Sequence, residues 1–75
     1  MNQRKIGEFL KQLRKEKGLT QEQLADHFYV SSRSVSRWET GSNMPGVDML
    51  IELADFYNVD IREIIDEKKK KREYG

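Results

Sequence analysis

Arg33, Ser36 and Arg37 fall in one short run of the chain. At about 100° per residue they share one side of a helix, while Val35 and Trp38 take the opposite side with Ser31 and Ser34 near them. A guanidinium can bond guanine O6 and N7 through two parallel N–H groups, and a serine hydroxyl can bond most base edges or a phosphate. Ser32, at the N-terminal end of the same helix, reaches inward toward the bases in such a docking. Trp38 lies opposite the arginines, which makes it a core anchor and not a stacking residue. Gln21, at the first turn of a preceding helix whose backbone N–H groups are free, can hold a phosphate. A short helix, a tight connection and an exposed polar helix together form the helix-turn-helix plan.

Other chemistry is poorly supported. His27 is the single histidine and there is no cysteine, so a transition-metal site would need an unusual all-carboxylate partner set. His27 is therefore expected at the surface. Asp48, Glu52 and Asp55 sit at mixed helical spacings on a polar face with no nucleophile and base beside them. No catalysis, metal or cofactor is expected.

Five helical segments have to position these groups. Ile6, Phe9, Leu10 and Leu13 recur at helical spacing among basic residues, which predicts an amphipathic helix near residues 4–17 ended by a left-handed Gly18. Thr20 and Gln23 make a capping-box pattern for a second helix carried by Leu24, Ala25 and Phe28, stopping near Phe28 or Tyr29. Ser31 or Ser32 caps a third, anchored by Val35 and Trp38 and followed by the turn residues Thr40 to Asn43. Pro45-Gly46 opens a fourth, carried by Val47, Leu50, Ile51, Leu53, Ala54 and Tyr57, with Asn58 as its left-handed terminator. Asp60 with Glu63 resembles another capping box and starts a fifth, using Ile61, Ile64 and Ile65. No repeat and no strand-like alternation competes, so the expected fold is all-α.

Seventy-five residues allow one domain, here 1–66, followed by a charged tail over 67–75. With 36% charged and 36% apolar residues the core is expected to be thin. The first apolar cluster is interrupted by Gly7, Glu8, Lys11 and Gln12, unlike a signal peptide, and no stretch approaches the length of a bilayer span. With no cysteine, a cytoplasmic location fits. Net charge is only +1, but it is polarised: +4 over residues 1–17, −1 over 18–44, −6 over 45–67 and +4 over 68–75. The acidic third segment should face away from a polyanion and the N-terminal half toward it. The run Lys68 to Arg72 reads first as a solubility feature.

The run Gly18-Leu19-Thr20-Gln21-Glu22-Gln23-Leu24-Ala25, continued by Val30-Ser31 and by Ser34-Val35-Ser36-Arg37-Trp38-Glu39-Thr40-Gly41, resembles the Cro and phage-repressor (XRE) type of helix-turn-helix protein. Leu50, Leu53-Ala54 and Val59-Asp60 extend the resemblance over residues 5–66. It implies a five-helix, lambda-repressor-like bundle with the helix-turn-helix in helices 2 and 3. It also implies operator binding on double-stranded DNA, usually as a homodimer, and control of transcription, with repression the expected sign. By the resemblance, Ser32, Arg33, Ser36 and Arg37 read bases, and Gln21, Thr40, Ser42 and Asn43 contact phosphates. Arg14 and Glu39 fall where such proteins place an ion pair between helices 1 and 3, and a phosphate contact from Arg14 is compatible with that. Tyr29 stands where the family often has glycine, and a positive φ there would cost of order 1 kcal/mol.

Tyr57, Ile61, Ile64 and Ile65 are candidates for a dimer interface. Two rival readings keep the same scaffold. One is an antitoxin or adaptor that binds a protein partner as well as DNA. The other is a protein-interaction module that has lost DNA binding, against which the exposed arginines speak.

Overall fold

A computed structural model describes residues 2–67. It contains α1 (Gln3–Glu16), α2 (Gln21–Phe28), α3 (Ser32–Thr40), α4 (Val47–Tyr57) and α5 (Ile61–Ile65). Among the described residues there is no strand, and no helix is long and apolar enough to cross a membrane. The expected charged tail lies, apart from Glu67, outside the described residues.

The helix ends are set by local chemistry. Asn2 caps α1 by accepting from the Lys5 N–H at 3.0 Å, and Gly18 takes a φ of +74° just beyond its end. Thr20 and Gln23 close a reciprocal box, Gln23 N–H to Thr20 Oγ1 at 3.0 Å and Thr20 N–H to Gln23 Oε1 at 2.9 Å. Ser31 caps α3 through the Ser34 N–H at 3.1 Å. Asp60 and Glu63 form the second box, at α5. Left-handed residues end α2, α3 and α4: Tyr29 with φ 58°, Gly41 with φ 83° and Asn58 with φ 57°. Asparagine tolerates that region and tyrosine does not, so the turn between α2 and α3 carries strain.

The core gathers Ile6, Phe9, Leu10 and Leu13 of α1, Leu24 and Ala25 of α2, and Val35 and Trp38 of α3. Leu50, Leu53 and Ala54 of α4 and Ile64 of α5 complete it. Four of the six apolar positions expected on α4 pack as anticipated. Val47 and Ile51 do not; they are 70% and 49% exposed. The buried stripe of α4 is centred among Leu50, Leu53, Ala54 and Tyr57, and the other two residues lie about 70° and 110° around the axis from it. His27 is exposed but not isolated: its ring packs 4.5 Å from Phe56 and 4.8 Å from Phe28, closing the α2/α4 side.

α1 packs chiefly on α3, and two features bring them close. Gly7 presents no side chain, so the α1 backbone lies against the carbonyl oxygens of Trp38 and Glu39. Arg14 and Glu39 are then joined across the interface, Nε to Oε2 at 2.7 Å and Nη2 to Oε1 at 2.9 Å. Only 7% of Arg14 and 5% of Glu39 is exposed. The two parallel hydrogen bonds to Glu39 raise the arginine's pKa further, although burial opposes this. Arg14 Nη1 also donates to the Leu19 carbonyl at 2.7 Å, so no part of this charge is left bare.

Three stability measurements follow. Gly7→Ala, which in an open helix gains about 1 kcal/mol, is expected instead to lose about 1–3 kcal/mol, because its methyl overlaps the Trp38 carbonyl oxygen. Tyr29→Gly is expected to gain up to about 1 kcal/mol and raise the thermal midpoint by several degrees. Glu39→Ala is expected to lose about 3–5 kcal/mol in denaturant unfolding, because Arg14 remains as a buried, uncompensated charge.

Candidate nucleic-acid interface

α3 has few apolar groups, and both of its large ones point inward. Val35 is fully buried and Trp38 is 9% exposed, fixing the helix by one flank against α1 and α2. The opposite flank is open. Ser32, Arg33 and Arg37 are exposed and Ser36 is half-buried. Arg33 and Arg37 are one helical turn apart, and among the described residues neither is held in an ion pair. Two unpaired guanidiniums on a rigid, short helix are suited to a bidentate acceptor such as a guanine edge. Ser34, by contrast, faces its own cap: its hydroxyl lies 3.1 Å from that of Ser31.

The groups expected to meet phosphates gather about the C-terminal end of this helix. Gln21 opens α2 and is half-buried, and its Nε2 donates to Glu39 Oε1 at 3.0 Å. Just past Glu39, Thr40, Ser42 and Asn43 are exposed. There the backbone N–H groups of Ser42 and Asn43 both turn back to the Arg37 carbonyl, at 3.0 and 3.2 Å. Their side chains, with Thr40 Oγ1 3.2 Å from Ser42 Oγ, are what remains to face outward. Gln3 of α1 braces this loop by donating to the Gly41 carbonyl at 2.8 Å. A side chain at Gly41 would also stand 2.8 Å from the Arg4 Cα, so glycine is required there by space as well as by its positive φ.

Two expectations are corrected. Arg14 is buried, and its guanidinium bonds Glu39 and the Leu19 carbonyl, so it is not a phosphate contact; its part is the ion pair. Ile64 has no exposed surface and belongs to the core, because the short α5 turns it inward. It is not an interface residue. Ile61 and Ile65 are half-exposed. Tyr57 is intermediate, with its hydroxyl buried; burial and then the nearby Glu39 carboxylate push the phenol's pKa well up. Reasoning from the sequence missed Gln3 and the link from Gln21 to Glu39. Both join residues far apart in the chain, and no local spacing signals either.

Comparison with known proteins identifies the family. Residues 10–64 match the helix-turn-helix family. The chain is 43% identical over 60 residues to the HTH-type transcriptional activator BcrR of Enterococcus faecalis, covering 80% of this chain and 29% of the relative. It is 31% identical over 70 residues to the HTH-type transcriptional regulator ImmR of Bacillus subtilis, covering 91% and 55%. It is 35% identical over 60 residues to the cryptic phage CTXphi transcriptional repressor RstR of Vibrio cholerae, covering 80% and 54%. The chain thus spans about half or less of the length of these relatives. The crystal structure of the clp gene regulator ClgR from C. glutamicum superposes with a TM-score of 0.74 at 23% identity, over 87% of this chain and 84% of that one, which establishes the shared all-helical fold. With an inward Val35 and Trp38, an outward arginine pair and a family match that runs from α1 to α5, the chain belongs to the Cro and phage-repressor (XRE) type of the helix-turn-helix family.

Proposed function

We propose that this chain is a DNA-binding transcriptional regulator that reads an operator by placing α3 in the major groove of double-stranded DNA. The observation that carries the reading is the exposure of Arg33 and Arg37 on the flank of α3 opposite Val35 and Trp38. Ser32, Arg33, Ser36 and Arg37 are assigned to base edges. Gln21, Thr40, Ser42 and Asn43 are assigned to phosphates, which set register and carry no sequence information. The relatives' names include both an activator and a repressor. We assign repression, because occupancy of an operator is enough for it, whereas activation needs a further productive contact.

We further propose that the protein acts as a homodimer whose two α3 helices enter successive major grooves about 34 Å apart. Ile61 and Ile65, with the accessible part of Tyr57, are the surface assigned to the dimer. A cytoplasmic location follows from the reading, since that is where the DNA of bacterial relatives lies.

The contrast between the two kinds of contact tests the assignment. Arg33→Ala or Arg37→Ala is expected to weaken binding to the preferred operator by about 1–3 kcal/mol and to relax discrimination at one base step, with little change on random DNA. Gln21→Ala is expected to weaken operator and random DNA alike. Equal losses on both DNAs for Arg37→Ala, measured by titration at fixed salt, would contradict base reading.

A further inference from the structure

Glu39 receives three hydrogen bonds. Oε2 accepts from Arg14 Nε at 2.7 Å, and Oε1 accepts from Arg14 Nη2 at 2.9 Å and from Gln21 Nε2 at 3.0 Å. The third bond has a different character from the first two, because Gln21 is half-buried and is the first residue of α2. The capping box takes up the Thr20 and Gln23 N–H groups, leaving those of Gln21 and Glu22 without an intrahelical partner. The side-chain amide of Gln21 is therefore held at the end of the helix where an anion would be received.

A carboxylate this close to such a site would repel a phosphate if it stood alone. Arg14 neutralises it, and through Nη1 also fixes the Leu19 carbonyl in the segment leading into α2. The buried pair thus orients the first side chain of α2 without projecting net negative charge. A glutamine left free would lose rotamer freedom on meeting DNA, whereas one already bonded has lost it on folding.

We propose that Glu39, neutralised by Arg14, is a positioning residue that holds the Gln21 amide in the orientation that meets a DNA phosphate. It thereby preorganises affinity for duplex DNA of any sequence. The proposal rests on the reading of Gln21 as a phosphate contact. It assigns to the ion pair a role in binding that is separate from its role in stability.

Two measurements on the full chain test it. In the first, affinity for a mixed-sequence DNA duplex at fixed salt is compared among the native chain, Gln21→Ala, the double variant Arg14→Met with Glu39→Met, and the triple combination, each checked for folding by thermal melting. Replacing both buried charges by apolar residues of similar length commonly preserves the fold. Gln21→Ala and the double variant are each expected to bind about fivefold more weakly, and the triple no more weakly than either within about twofold, as coupled residues behave. A folded double variant that binds like the native chain, or losses that multiply in the triple, would overturn positioning by Glu39 while leaving Gln21 as a phosphate contact. No loss for Gln21→Ala itself would overturn the phosphate reading and the proposal with it. The second measurement needs no variant: in the DNA-free native chain the Gln21 side-chain amide is expected to be as rigid as ordered backbone, with an NMR order parameter near 0.85, and a value below about 0.6 would overturn the proposal.

Discussion

The bidentate bond between Arg14 and Glu39, buried where α1 crosses α3, is the constraint on which the rest of the molecule depends. α3 buries Val35 and Trp38 against α1 and α2, and this packing sets its inward flank. The ion pair adds to that constraint, because a planar guanidinium donates to both oxygens of a carboxylate in one geometry. Gly7 allows the approach, and Gln3 ties down the adjoining helix end at the Gly41 carbonyl. α1 therefore braces the C-terminal part of α3. The outward direction of Arg33 and Arg37 is a consequence of what has been fixed on the other side.

How much of this could be read from the residues depended on range. Thr20 with Gln23, Ser31, Asp60 with Glu63, and Asn58 announce helix ends through bonds spanning two or three positions, and local spacing is enough to find them. Tyr29 was legible as an anomaly because its neighbours resembled a known turn, and its φ of 58° meets the condition under which that position costs energy. Val47 and Ile51 were misplaced because α4 is apolar around more than half its circumference, so periodicity alone does not choose which stripe faces inward. Ile64 was misplaced for a related reason: in a helix as short as α5, tertiary contacts decide which isoleucine turns to the core. The bonds from Gln21 to Glu39 and from Gln3 to Gly41 join residues 18 and 38 positions apart. Nothing in either neighbourhood points to the other.

The proposed division of labour along the interface has a physical logic. Base-directed side chains stand on a helix held from behind, while phosphate-directed ones gather at its C-terminal end, where Gln21 is bonded to Glu39 and the loop after α3 is tied to α1 through the Gly41 carbonyl. A rigid frame of this kind keeps the spacing between backbone contacts fixed, so that the register of α3 in a groove follows from where the phosphates are. The charge pattern is in keeping: Glu39, the buried acid of this frame, is neutralised internally, and the chain's excess of acid lies in residues 45–67.

The central claim is that a braced α3 presents a base-reading face. Repeated selection of bound molecules from a random duplex pool tests it most directly. The account predicts enrichment of an inverted repeat whose half-sites are centred about one helical turn apart, with guanines at the positions facing the two arginines. Recovery of a pool no different from the input, at salt low enough for binding to be detected, would contradict it.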